Sequence, residues 1–446
     1  MTQHAPLSRS EWFRFGRGAG GEAKSAIKTE MHPESNLPLL PRRVRRRGLI
    51  VLLVNTYLMW SGFFMIVPVI SVHYVDDLGW AAASIGLILG IRQLLQQTLT
   101  VIGGALADRW GAKRLIVIGL MIRVIAFSGM AWAFDFPMLL VLAILAAIGG
   151  SLFDAPSAAA IAALTTEEER PRFYSLRGVM TGLGLTTGPL IGSALLNIDF
   201  ALVAYLSGGF FLAALAITAI FLPAVQVGAN NQSLSYGVRL ALRDRPFMTL
   251  TALIMGYWFM WVQLTISLPL KAEALSADKG SIGVIYLVNS LITIVLQVPI
   301  IRWLERRLSP MTAMVLGIAV MAVGLGSIAL DQAFPGMLLS VAIFSVGNLI
   351  ALANQNTVIA SLARPEARGS YFGVSAVALA FGGGLGNFLG SVLYGVSIAQ
   401  GAPALPWLVI GAVGLAAALG LWVLNQYLVA RTAQVTSVRG TSTPRC

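Results

Sequence analysis

Charge, histidine and cysteine are all scarce in this chain, and each scarcity excludes a class of protein. Asp, Glu, Lys and Arg make up 11 per cent of the 446 residues, against 57 per cent hydrophobic residues and a mean hydropathy of +0.78. A soluble chain of this length needs far more charge to cover its surface. The single cysteine, Cys446, has no partner for an intramolecular disulfide. His4, His32 and His73 have no neighbours at metal-ligand spacing, and no phosphate-cradling glycine loop is present. Neither a metal site nor a single-chain ATP-driven pump fits, and no cofactor is expected. No nucleophile–base pair or carboxylate pair lies within the apolar runs, which argues against an intramembrane enzyme. Alternation at period two is also missing, so an outer-membrane barrel is excluded.

What the chain does contain is a succession of long uncharged runs, such as LIVLLVNTYLMWSGFFMIVPVI (49–70) and LPWLVIGAVGLAAALGLWVLNQYLV (405–429). Each exceeds the roughly 20 apolar residues that a helix needs to cross a bilayer. Runs beginning near 49, 83, 115, 137, 174, 200, 247, 281, 311, 336, 371 and 405 predict an all-α polytopic membrane protein with twelve transmembrane spans. The expected divisions are a basic tail (1–48), six spans (49–222), a linker (223–246), six more spans (247–430) and a second tail (431–446). The first tail ends in RRVRRR (42–47) and is expected to be drawn to anionic head groups. The apolar run behind it is too long for a cleavable signal peptide, so span 1 reads as an uncleaved anchor.

Charge then orients the spans. With the N-terminus inside, all 31 Lys and Arg residues are cytoplasmic except Lys271 and Lys279 outside and Arg92 and Arg123 within spans. The positive-inside rule therefore predicts a plasma (inner) membrane protein with both termini cytoplasmic.

The chain also repeats itself. SIG at 84–86 recurs at 281–283, and Asp108-Arg109 recurs as Glu305-Arg306. GLTTGPLIGS (184–193) recurs as GGGLGNFLGS (382–391), Arg170 as Arg368, and Phe173-Tyr174 as Tyr371-Phe372. Several matches in one order and at one near-constant offset predict two parallel six-helix halves, the plan of transporters that rock one half against the other.

The stretch GGALADRWGAKR (103–114) resembles the loop between helices 2 and 3 of the major facilitator superfamily, through Gly104, Asp108, Arg109, Gly111, Lys113 and Arg114. GLTTGPLIG resembles that superfamily's helix-5 antiporter motif through Gly184, Gly188, Pro189 and Gly192, and residues 62–97 resemble its bacterial multidrug exporters. The resemblance spans residues 49–430. It implies proton-coupled efflux of small amphipathic drugs by alternating access, in a monomer whose partners are substrate, protons and the bilayer, with no nucleic acid. It also implies that the loop is a latch, with Asp108 docking one half against helix 11. Ala112 replaces a basic residue of the motif, and the C-half copy RWLERRL (302–308) lacks both glycines. Transport of a sugar, metabolite or lipid on the same fold is the nearest alternative; a non-transporting sensor is the alternative from another class.

Three ionisable residues fall within spans, where charge is costly and marks sites: Arg92 in span 2, Arg123 in span 3 and Asp154 in span 4. Arg123 and Asp154 lie about nine residues, roughly 13 Å, from the cytoplasmic ends of neighbouring spans and are placed to pair. Asp154 is the leading proton-carrier candidate; a static ion pair is the alternative. The drug–proton antiporters of the superfamily often carry an Arg on helix 4 and an acid on helix 1. Here span 4 reads GGSLFDAPSAAA (149–160) and span 1 offers Asn55. The resemblance further implies that spans 1, 4, 7 and 10 line the cavity. Span 1 supplies Asn55, Tyr57, Trp60, Phe63 and Phe64; span 7 supplies Tyr257, Trp258, Trp261 and Gln263; span 10 supplies Asn354, Gln355 and Asn356. Such an aromatic wall suits flat amphipathic ligands and attracts cations.

Overall fold

The computed structural model describes residues 41–166, 168–224, 234–364 and 367–440, all of whose regular structure is helical. The expected tail residues 1–40 and 441–446 and linker residues 225–233 lie outside the described residues. The first six helices are α1 (Arg42–Val72), α2 (Ala82–Trp110), α3 (Ala112–Gly129), α4 (Phe136–Leu164), α5 (Arg170–Leu196) and α6 (Phe200–Phe221). A ten-residue amphipathic helix, α7 (Leu234–Arg243), follows within the expected linker. The second set is α8 (Arg245–Trp261), α9 (Ser267–Ser276), α10 (Gly280–Glu305), α11 (Pro310–Ser327), α12 (Phe334–Leu362), α13 (Arg368–Val377), α14 (Gly384–Ala399) and α15 (Leu405–Gly440).

Local chemistry explains many of these boundaries. Asp135 caps α4 by accepting from Met138 N at 2.8 Å, and Asp199 caps α6 by accepting from Ala201 N at 2.8 Å. Ser309 does the same for α11 through Thr312 N at 3.2 Å. Gly111, at φ +82°, ends α2 in a conformation that glycine alone adopts cheaply. Two expected boundaries move. The basic run RRVRRR forms the first turns of α1 rather than the end of a tail, and α15 runs past 430 to Gly440.

Eleven of the spans, among the described residues, are long and apolar enough to cross a membrane. The twelfth expected span, α2, has the length at 29 residues but is interrupted by Arg92, Gln93, Gln96 and Gln97. Among the described residues, two spans are broken between two α-helical segments. Span 7 breaks into α8 and α9 through a 3-10 turn at Val262–Thr265, and span 11 into α13 and α14 through a π segment at Ala378–Gly383.

The halves repeat in three dimensions. Helices α3 and α11 each have 18 residues, and α4 and α12 each have 29. The α3–α4 crossing is closest at Gly119 and Gly149: a Cβ on either would sit 2.6 or 2.7 Å from the other's carbonyl oxygen. The α11–α12 crossing uses Gly317 and Gly347 in the same way, at 2.9 and 2.6 Å. Small residues let the backbones meet without ordering side chains, which is how helices associate in lipid.

Contact between the halves is concentrated in two crossings, α2 with α14 and α5 with α10. At the first, a Cβ on Gly86 would meet Ser391 Oγ and the Asn387 carbonyl. At the second, a Cβ on Gly283 would lie 2.6 Å from Ser193 Oγ. The glycine of each SIG motif therefore rests on the serine, Ser391 or Ser193, that ends the repeated glycine-rich stretch of the other half. Beside these crossings, Lys279 Nζ donates to both Asp77 carboxylate oxygens at 2.7 Å, and Asn197 Nδ2 donates to Asp278 Oδ1 at 3.5 Å. These ties all lie at the end of the bundle remote from Arg42.

Candidate functional site

A cavity of about 530 Å³ lies between the halves, toward Arg42 from the two crossings. Helix α1 contributes Trp60, Phe63 and Phe64; α8 contributes Trp258 and Trp261. These aromatics form the wall expected from the sequence. Trp60 and Phe64 stack at 5.6 Å, and Trp258 meets Trp261 edge-on at 5.6 Å.

The three intramembrane ionisable residues come together here, but not as an Arg123–Asp154 ion pair: no such pair lies within 4.0 Å. Arg92 donates to Gln96 Oε1 at 2.8 Å and to Gln93 Oε1 at 2.9 Å, and Gln96 Nε2 donates to Asp154 Oδ2 at 3.1 Å. A neutral amide thus bridges cation and carboxylate, with its two ends serving as acceptor and donor. Both guanidinium groups lie near the Phe63 ring, Arg92 at 4.7 Å and Arg123 at 5.6 Å.

Several expected lining residues instead hold the walls in place. Asn55 Nδ2 donates to Thr218 Oγ1 at 2.5 Å, between α1 and α6. Tyr57 OH accepts from Thr187 Oγ1 at 3.4 Å, facing α5. Tyr257 is buried and donates to Asn348 Oδ1 at 2.6 Å, which orients a cavity residue without lining the cavity itself. Gln263, in the span-7 break, donates to Gly386 O at 3.1 Å and fastens that break to α14. Asn354 donates back to Ile350 O at 2.9 Å, Gln355 is buried on the same helix, and Asn356 is exposed. None of these lines the cavity. The reason is rotational: a helix apolar all round places its residues without saying which face turns inward.

Sequence reading missed the amides that do line it, Gln93, Gln96, Gln97, Asn289, Asn348 and Asn387, and one more cation, Arg177. Arg177 belongs to the segment expected as a cytoplasmic loop, but α5 starts at Arg170 and carries it to the cavity. The polar run in RQLLQQ (92–97) was the available signal for α2, because four polar residues in an apolar span need a wet or protein-lined face.

The sequence model of the Major Facilitator Superfamily matches residues 52–387 and 263–438. The chain belongs to the Major Facilitator Superfamily. The multidrug resistance protein MdtH of Klebsiella pneumoniae (strain 342) is 37% identical over 380 residues, covering 85% of this chain and 94% of that protein. MdtH of Aeromonas hydrophila is 36% identical over 373 residues, covering 84% and 94%. Among solved structures, the nucleoside transporter NupG superposes with a TM-score of 0.73 at 14% identity, over 85% of this chain and 99% of that one. A POT family transporter gives 0.73 at 15% identity, over 85% and 96%. These relatives are transporters, not enzymes, and the chain is a multi-pass membrane transporter of this superfamily.

The superfamily's motifs fall at two places. In the α2–α3 loop, Arg109 and Arg114 are exposed, Lys113 is half-buried, and Gly111 makes the reversal. The side chain of Asp108 and the surroundings of Gly104 lie outside the described residues. The helix-5 motif packs inside the N-half. A Cβ on Gly184 would lie 2.7 Å from Trp60 Cβ, and one on Gly188 2.6 Å from Ser61 O; at Gly192 it would collide with Met65 O. Helix α5 runs through Pro189 without a break. On the C-half, Gly386 and Gly390 press on Phe259 and Gln263 in the same manner. Both glycine ridges therefore lie within a half and not at the seam between halves.

Proposed function

We propose that this protein exports small amphipathic drugs by alternating access, coupled to protons, across the inner membrane with both termini in the cytoplasm. The observation that carries the reading is the position of the aromatic, ionisable cavity. It lies between the two halves, beside crossings and polar ties that, among the described residues, gather at the end remote from Arg42. On the topology expected from charge, that end is extracytoplasmic, so the conformer is the inward-facing one. The likeness to MdtH multidrug resistance proteins over most of both chains supports drugs as cargo. The latch residues Gly104, Asp108, Arg109, Gly111, Lys113 and Arg114 would act in the opposite conformer, when the cytoplasmic ends meet. The ridge Gly184, Gly188, Pro189 and Gly192 is read as holding α5 against α1, so that the N-half moves as one body.

Asp154 is the proposed proton carrier. It lines the cavity, and its bond to Gln96 gives its charge a partner whose strength changes with protonation. Inside-out vesicles given an inward-acid proton gradient should accumulate an amphipathic dye, and Asp154→Asn should abolish that accumulation at unchanged expression. Vesicles that neither take up dye nor dissipate the gradient in response to it would refute the exporter reading.

The amides of the cavity favour a second reading, transport of a sugar, metabolite or lipid head group, because convergent donors and acceptors suit hydroxylated cargo. Competition of an unlabelled sugar or nucleoside series against dye uptake distinguishes the two.

A further inference from the structure

The cavity carries more positive charge than the protein neutralises. Arg92, Arg123 and Arg177 line it against one carboxylate, Asp154. Arg92 is served by the Gln93 and Gln96 amide oxygens. Arg123 is different. Its side chain lies in a residue only 3% exposed, yet among the described residues it makes no hydrogen bond and no ion pair, and its Nε is buried without an acceptor. The Asp154 charge acts on it through space without a bond, and three ring faces lie near it: Phe63 at 5.6 Å, Phe127 at 5.7 Å and Phe211 at 5.4 Å. Rings attract a guanidinium and fix its plane, but they supply no oxygen to five N–H donors. A buried charge without hydrogen-bonding partners is costly, so a ligand that brings acceptors gains what the protein leaves unmade.

The backbone is shaped to admit this group. A Cβ on Gly149 would lie 2.8 Å from Arg123 Cγ, and one on Gly150 would collide with Arg123 Nη2 and sit 2.9 Å from Gln96 Nε2. The two glycines of GGSLFD thus clear a passage along α4 through which Arg123 reaches the cavity lining. Two guanidinium groups also lie against Phe63, so that ring is already engaged by cations. The expectation that the aromatic wall recruits a cationic ligand fails at this ring.

We propose that Arg123 forms an anion-binding subsite. The ligand it selects is an amphiphile whose carboxylate docks on the guanidinium while its flat aromatic body lies against Phe64, Trp258 and Trp261. The substrate class rests on the transporter reading above but not on its proton coupling; the binding site stands apart from both. Charge-assisted bonds to a planar guanidinium are the strong kind, and losing them costs more than losing a neutral pair.

The test uses the full chain in nanodiscs and three probes of one shape: naphthoate, methyl naphthoate and naphthylmethylammonium. Binding is read by calorimetry and by quenching of tryptophan emission. Naphthoate should bind at least about tenfold more tightly than the ester, ~1.4 kcal/mol, and the ammonium should bind worst. Arg123→Gln should erase the preference for naphthoate, and Arg123→Lys should keep part of it. Ester or ammonium binding as tight as naphthoate in the wild-type chain would overturn the proposal, as would an unchanged preference in Arg123→Gln. The wild-type comparison decides even where a variant does not fold. Export of a cationic dye without any naphthoate preference refutes this site and leaves the transport reading standing. A naphthoate preference in a chain that moves no dye does the reverse.

Discussion

Single side chains in this cavity work through their neighbours, and the clearest case is Gln96. Its amide bridges Arg92 and Asp154, accepting from one and donating to the other. Gln96→Leu removes both bonds and leaves two charged groups without that partner. It should lower stability by about 1–3 kcal/mol, read as a fall in the thermal midpoint in detergent. Tyr257→Phe is the milder counterpart: it frees Asn348 Oδ1 at a cost of about 0.5–1.5 kcal/mol and should change the relative uptake of dyes. At this scale the sequence was legible in part. Trp60, Phe63, Phe64 and Trp261, expected on spans 1 and 7, line the cavity. Asn55, Tyr57, Gln263, Asn354 and Gln355 sit on the expected helices but turn elsewhere. Successive residues differ by 100° around a helix, and a helix apolar on every side carries no mark of the inward direction.

At the scale of elements, glycine decides which helices touch. Along α5 two glycines make opposite predictions. A Cβ at Gly192 would strike the Met65 backbone carbonyl, which cannot move without displacing α1, whereas Gly178 has nothing within 4 Å. Gly192→Val should cost several kcal/mol through overpacking, of order 1–3 or more, and yield little folded protein by size exclusion. Gly178→Ala should leave the thermal midpoint unchanged or raise it slightly, by up to ~1 kcal/mol of helix propensity. The spans themselves were readable because hydrocarbon thickness fixes their length and the absence of water forces them to be helical. Their interruptions were not. The 3-10 turn of span 7 sits in WVQLT (261–265), which carries no proline or glycine, and is held by Gln263 and by Thr265 donating to Asn387 Oδ1 at 2.8 Å. Those tertiary bonds have no local signature. The apolar run near 83 did mark α2 as a span, but not that its polar run lines the cavity.

On the proposed alternating-access reading the whole molecule balances two closures, and the one present here is held by few polar ties among the described residues. Lys279 and Asp77 are partly exposed, so their pair contributes about 0.2–1 kcal/mol. Lys279→Ala should therefore shift the population toward the state opened at this end by a factor of about 1.4 to 5. Spin labels at Leu78 and Gln400, in a chain carrying Cys446→Ser, should show a larger long-distance fraction in that variant. An unchanged distance distribution would assign the closure to the Gly86 and Gly283 crossings and the Asn197–Asp278 bond instead.

Those crossings have an implication for descent. Gly86 of one half rests on Ser391 of the other, and Gly283 of the second rests on Ser193 of the first. Residue i meets j, and the copy of j meets the copy of i, which is the signature of an isologous interface. A six-helix unit bearing both motifs carries both sides of this pairing, so two separate copies of it could close the two Gly–Ser seams before any linker joined them. The Lys279–Asp77 and Asn197–Asp278 ties lie outside that pairing.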